Sequence, residues 1–349
     1  MALHLPPESF LHRPGPLVDV RSPGEFDRGH IPGAVNLPLF SDGQRAEVGT
    51  TYKQVGRQEA VRLGLRLVGP RLDGLAADLL ALAQADGGSQ PLRLLCWRGG
   101  MRSASVAWLA STLELPVQLL EGGYKAYRRW VLELFERPWP LRLLGGRTGS
   151  GKTELLLALA ARGVAVVDLE GLAHHRGSSF GGLGLPPQPS TEHFENLLAA
   201  SLQGHHGAPE IWLEAESAQV GRCRIPVALF RQMEQAPMLE VARPLGERLR
   251  RLVAEYGHQD PQALEEATRR IARRLGPQRT QAALEALGVG DWGAACAEML
   301  DYYDRCYDHG LSHRSPVAPP GQSPVDLGEV DGSTVADTWL VEGRVRPAA

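Results

Sequence analysis

The chain has 349 residues, 43% of them apolar and 22% charged, which is the make-up of a globular protein too long for one core, so two or three domains are expected. A formal net charge of -3 announces no polyanion partner over the chain as a whole. No stretch approaches the roughly 18 uncharged apolar residues of a membrane span, and the opening MALHLPPESFLHRPG carries no basic-then-apolar leader, so no membrane partner is expected. Four cysteines (Cys96, Cys223, Cys296, Cys306) lie without CxxC spacing, which speaks against a zinc site or a disulfide framework and for a reducing, cytoplasmic setting.

In chain order, PLVDV (16–20) reads as a strand, AVNLP (34–38) as another beyond a Pro/Gly turn, and LRLLCW (92–97) as a buried strand bounded by Gly–Gly. RSASVAWLAST opens a helix directly after that turn, and VQLLEGG (117–123) is a further strand. Strands alternating with helices predict an α/β fold with an open parallel sheet, whose ligands bind at the carboxyl ends of the strands. Cys96 stands at such an end. ERPWPLRLLGG (136–146) reads as a linker running into the first strand of a second α/β unit. That unit continues with the helix KTELLLALAARG, the strand VAVVDLEG (164–171), a Gly/Pro-rich irregular stretch (175–190) and the strand EIWLEAES (210–217). From Arg243 the pattern turns helical to near Leu311, and the last forty residues are rich in Pro and Gly, as in a segment that wraps a surface. The expected domains are 1–135, 136–242 and a helical C-terminal region, 243–349.

GRTGSGKT, Gly146 to Thr153, matches G-x-x-x-x-G-K-[ST], a loop whose backbone N–H groups cradle phosphates. Gly146, Thr148, Gly149, Ser150 and Gly151 would form the cradle, Lys152 would add a point charge, and the Thr153 hydroxyl could ligate Mg²⁺. The helix behind the loop aims its N-terminus at the same spot. Asp168, Glu170, Glu214 and Glu216, at the ends of the next strands, are candidate metal carboxylates. Each is individually as well explained as a surface or helix-capping acid, and no metal ligand is assigned.

Cys96, at a helix N-terminus beside Arg98 and Arg102, reads as a nucleophile whose thiolate those charges would favour. The amides of residues 98–103 can form a nest for a tetrahedral anion. Between Arg243 and Arg279 there are nine arginines, no lysine and five acids, a net charge of +4 that could face RNA phosphates or form a solvated, ion-paired helix face.

DVRSPGEFDRGHIPGAVNLP (19–38), the cysteine loop and LEGGYKAYRRW (120–130) together resemble a rhodanese domain. Five residues, Trp97 to Met101, separate Cys96 from Arg102. Simple rhodaneses place one fewer there, and phosphatases of the same fold use the longer loop. Leu95 takes the place of the histidine that commonly precedes the phosphatase cysteine. A rhodanese-like domain followed by a P-loop resembles the bacterial tRNA 2-selenouridine synthases, and YKQVG, HRGSSFG and QPSTEHFEN add to that likeness.

The resemblance implies a transferase acting on tRNA in two steps: S-geranylation of wobble 2-thiouridine by geranyl diphosphate, then replacement of the geranylthio group by selenium from selenophosphate. It implies that the P-loop holds the diphosphate and that Cys96 handles the selenium donor, as an S-selanyl adduct or by assisting delivery, with Arg98 and Arg102 seating the donor. It makes His175, Arg176 and Ser178 candidates for contact with the base or the diphosphate, and Arg248, Arg251, Arg270 and Arg274 candidates for contact with tRNA. No tightly bound cofactor is expected, and Mg²⁺ is compatible. The alternative is a rhodanese-type sulfurtransferase coupled to an ATP-hydrolysing P-loop domain.

Overall fold

A computed structural model describes residues 2–85, 89–312 and 323–348. The chain divides into two compact units, Met1–Leu134 and Phe135–Ala349, and the helical stretch from Arg243 belongs to the second of them.

The N-terminal unit is built on five parallel strands: β1 (Leu3–Leu5), β2 (Leu17–Asp19), β3 (Val35–Asn36), β4 (Leu92–Leu95) and β5 (Val117–Leu120), in the order β1-β5-β4-β2-β3. Central β4 is buried on both faces, which is why LRLL shows no alternation. Helices Leu72–Ala85 and Met101–Thr112 cover the sheet through Leu75, Leu79, Val106 and Ala110, which join Val18, Leu92 and Leu94 in one core.

The DVR motif just after β2 is architectural. Arg21 and Asp19 are fully buried, with Arg21 Nη2 donating to Asp19 Oδ2 at 2.6 Å and to the Gly29 carbonyl at 2.8 Å. The guanidinium lies 3.7 Å from the centre of the Tyr124 ring, and Asn36 Nδ2 donates to the carbonyls of Asp19 and Arg21. One buried ion pair thereby ties the two ends of the 19–38 stretch together and joins it to Tyr124 of the 120–130 stretch. Removing one partner of such a pair leaves the other charge uncompensated. Asp19→Ala is expected to cost about 3–5 kcal/mol of stability, read as a lower midpoint in chemical denaturation; a midpoint within error of wild type would show the pair to be dispensable.

The C-terminal unit carries a second sheet from β6 (Leu141–Gly145), β7 (Val166–Val167), β8 (Ile211–Glu214), β11 (Met238–Ala242) and β12 (Val325–Asp326), all parallel, in the order β12-β11-β6-β8-β7. A two-stranded hairpin, β9 (Gln219–Val220) and β10 (Cys223–Arg224), stands apart from it. Four helices follow β11: Leu245–Tyr256, Pro261–Leu275, Pro277–Gly288 and Trp292–Ser312. The stretch 175–190 contains no helix or strand, as its Gly/Pro content predicts.

The tail does more than wrap a surface. Residues 313–322 lie outside the described residues, but beyond them β12 closes the sheet edge and helix Gly332–Val341 packs on the helix behind the phosphate loop. Leu327, Val335, Trp339 and Val345 are core residues of this unit.

Candidate functional site

In the N-terminal unit, β4 ends at Leu95, so Cys96 is the first residue past the strand, and the helix Met101–Thr112 begins five residues on, capped by Gly100. The loop between them is clamped from the other side. The Tyr124 and Lys125 amides, at the start of helix Gly123–Glu136, donate to the carbonyls of Cys96 and Trp97 at 2.8 and 3.0 Å. Backbone meets backbone so closely that a Cβ on Gly123 would stand 2.3 Å from the Cys96 oxygen, and its φ of +61° favours glycine independently. The EGGY motif therefore holds the cysteine loop.

Cys96 is 3% exposed, with Sγ 3.2 Å from the Ser103 hydroxyl. Arg102 does not face it as a free cation. Glu25 captures its guanidinium, Nη1 to Oε2 at 2.6 Å and Nη2 to Oε1 at 3.3 Å. Burial opposes ionisation of Glu25, yet Arg102, the Ser22 amide and Arg45 outweigh it and hold the carboxyl down at about 2. Arg102 thus stands in the cysteine loop as one half of an ion pair with Glu25. Glu25 went unassigned, although Ser22–Pro–Gly–Glu25 forms a capping box with the legible S-x-x-E signature. Arg98 is exposed and lines a separate cavity with Lys125 and Arg129.

In the C-terminal unit, the loop after β6 wraps the N-terminus of helix Lys152–Ala160. Gly149 takes a φ of +80°, and a Cβ there would lie 3.0 Å from the Arg248 carbonyl. Arg243 Nε donates to the Ser150 carbonyl at 2.9 Å, and Arg248 Nε donates to that of Thr148 at 2.8 Å. Two arginines thus hold the loop's carbonyls at Thr148 and Ser150, while the Ser150 amide closes a turn onto the Arg147 carbonyl.

Thr153 Oγ1 is 2.9 Å from Glu170 Oε2 and 2.5 Å from Glu214 Oε1. One hydroxyl has one proton to donate, so the second contact requires a protonated carboxyl that donates to it. Glu170, Glu214 and Glu216 each offer an oxygen within 4.8 Å of the others'. Burial drives all three upward, to about 9 for Glu170 and about 7 for Glu214; mutual repulsion adds to this, and Lys152 offsets part of it. Asp168 stands aside as a helix cap, accepting from the Gly171 amide at 2.8 Å.

The phosphate loop opens into a cavity of about 670 Å³. Gly146, Thr148, Gly149, Gly151, Lys152 and Thr153 with Glu170 and Glu216 make one wall, and Arg176, Gly177 and Ser178 add polar groups. The remaining wall is apolar, with Phe180, Leu264, Leu287, Trp292, Met299 and Tyr303 contributed by the irregular stretch and the C-terminal helices. Arg176 is pinned by Glu255 at 2.6 Å and donates to the Leu183 carbonyl. His175 is turned back on its own loop, accepting from the Gly177 amide at 3.2 Å, and burial lowers its pKa.

The arginine candidates separate. Arg248 is buried, paired to Asp304 at 2.5 Å and bonded to the phosphate loop, and Arg251 bridges Glu247 and Glu154 at the cavity's edge. The reading of these two as RNA-facing is corrected: internal partners consume their donors. Arg270 and Arg274 are exposed on helix Pro261–Leu275, Arg270 donating to the Ser179 carbonyl and Arg274 bonded to Tyr302.

A family model described as the tRNA 2-selenouridine synthase AAA domain matches residues 139–318, and a rhodanese-like domain model matches 8–129. A tRNA 2-selenouridine synthase of Marinobacter nauticus is 38% identical over 338 residues, covering 86% of this chain and 89% of that protein. The chain belongs to the tRNA 2-selenouridine synthase family. Other members match over a shorter span. Those of Cronobacter sakazakii and Shewanella sediminis are 45% and 40% identical, over 69% and 70% of this chain and 64% and 65% of their own lengths. The chain thus spans just under two thirds of those two relatives. Among the described residues no helix is long and apolar enough to cross a membrane.

Proposed function

We propose that the chain is a transferase converting wobble 2-thiouridine in tRNA to 2-selenouridine, by S-geranylation from geranyl diphosphate and then selenation from selenophosphate. The observation that carries this reading is the cavity that runs from a phosphate loop to an apolar wall. A prenyl diphosphate needs an anion cradle joined to an apolar slot, and this cavity offers both. The loop amides, Lys152 and the helix N-terminus bind the diphosphate, and Phe180, Trp292 and Met299 bury the ten-carbon chain.

In the first step the thiocarbonyl sulfur attacks C1 of the geranyl group, the C1–O bond breaks, diphosphate leaves with its electron pair, and the base loses its N3 proton. Lys152 and the amides stabilise the charge that grows on the leaving oxygen. Alkylation turns a poor leaving sulfur into a thiolate. In the second step the selenium of selenophosphate bonds to C2, geranylthiolate departs with the C–S electron pair and takes up a proton, and water cleaves the P–Se bond, releasing phosphate and leaving selenium on the base. Cys96 handles the selenium donor at the N-terminal unit's loop. Nucleoside mass spectrometry of 2-thiouridine tRNA, with the two donors supplied separately and together, tests this. Geranyl diphosphate alone should give geranylthiouridine, and both together selenouridine; ATP-dependent sulfur transfer without either product would support the sulfurtransferase instead.

The three glutamates and Thr153 suit a hard cation, being all-oxygen donors whose mutual repulsion needs a counter-charge. Mg²⁺ bound there would supply charge to the departing diphosphate. Because the folded pKa values of Glu170 and Glu214 lie above their unfolded ones, the folded chain holds protons that the unfolded chain releases. Metal-free stability should therefore fall as pH rises from about 6 to about 8.5, and Mg²⁺ should raise the melting temperature more at the upper end. Calorimetry at both values checks it, and an equal Mg²⁺ effect at both would separate the ion from these carboxylates.

A further inference from the structure

The arginine-rich stretch, the one basic run legible in the sequence, is largely consumed by internal contacts. Arg243, Arg248, Arg251 and Arg279 are held by carbonyls or acids, the last by Asp301. Unsatisfied positive charge is found elsewhere. Arg98, Lys125 and Arg129 in the N-terminal unit are exposed and have no ion pair or side-chain hydrogen bond among the described residues. All three line one cavity of about 450 Å³, with Glu121 the only acid on its wall and Gly122, Pro6 and Pro7 beside them.

We propose that this cavity is where backbone phosphates of the tRNA dock on the N-terminal unit. The inference rests on the reading of the chain as a tRNA-modifying enzyme and adds a location to it. Three unpaired cations around one hollow repel one another, and a polyanion relieves that repulsion while releasing its own counterions. Lys125 and Arg129 stand one turn apart on the same helix face, about 6 Å along the axis, which lets successive phosphates of one strand be met. A single small anion would leave one of these cations unused. The small residues beside them let a backbone approach closely. The site also adjoins the chemistry, because the Lys125 amide is bonded to Trp97, the residue after Cys96. Phosphates held here bring the strand to the cysteine loop without reading its sequence, as backbone contacts do.

The test is anisotropy of a labelled 2-thiouridine tRNA with the full chain across a salt series. The double variant Lys125→Glu/Arg129→Glu should weaken binding by about tenfold or more and lower the slope of log Kd against log salt by about 2. Its affinity for geranyl diphosphate should not change. Lys125→Gln/Arg129→Gln, which adds no charge, should move the same two quantities in the same direction if the reversal harms folding. Wild-type tRNA affinity and slope in both variants would overturn the assignment. Unchanged tRNA binding with loss of inorganic phosphate binding would also overturn it, in favour of a small-anion site. A wild-type chain that binds no tRNA would refute the tRNA reading itself, and the docking site with it.

Discussion

Lys152→Ala is expected to lower geranylation by about 10²–10³-fold while leaving selenation of tRNA that is already geranylated near wild type. The loop amides, held by Arg243 and Arg248, survive the substitution, so the cradle keeps its shape. What disappears is the ammonium that the first residue of helix Lys152–Ala160 brings to the loop, together with its offset of the charge on Glu170, Glu214 and Glu216. Under the proposed mechanism, both losses act where negative charge would accumulate as diphosphate departs. Calorimetric titration should show weaker geranyl diphosphate binding, and product analysis the missing geranylthio intermediate. A variant that geranylates normally would show that the diphosphate is bound elsewhere.

The second large effect is the converse. Cys96→Ala should reduce selenation by about a thousandfold or more and let geranylated tRNA accumulate. The residue is clamped at its carbonyl by the Tyr124 amide and its side chain is small and buried, so alanine should fit without moving the loop. A lost product with an unchanged melting temperature would then report chemistry and not folding. Full selenation by Cys96→Ala would end the carrier assignment.

Much of this was legible in the sequence. The strands at 92–97, 117–123 and 210–217 announce themselves as apolar runs bounded by turns, and the phosphate loop, Cys96 and the glycines that clamp it are local motifs. The strands that escaped notice are short or partly exposed. β1 is a three-residue edge strand with two exposed positions, β11 buries only Val241, and β12 has two residues. Their identity comes from pairing with β5 and β6 and with each other, which no local pattern carries. Which of the two readings of the arginine run applies was not legible for a related reason. Its charge is visible in one stretch, and so are Glu247 and Glu265, which pair with Arg250, Arg251 and Arg269 at helical spacing, but further cancelling acids are Glu154, about a hundred positions upstream, and Asp301 and Asp304, downstream on another helix. The apolar wall, too, is assembled from Phe180 to Tyr303 with no shared spacing.

Helix Trp292–Ser312 touches both ends of that cavity. Trp292, Met299 and Tyr303 line its apolar wall, while Asp304, the next residue, and Asp308, just over a turn past Tyr303, hold Arg248, which is bonded to the phosphate loop, and Arg147 within that loop. Under the proposed reading, the room for hydrocarbon beside a seated diphosphate depends in part on this helix, because the element that carries Met299 and Tyr303 is the one that Asp304 and Asp308 tie to Arg248 and Arg147.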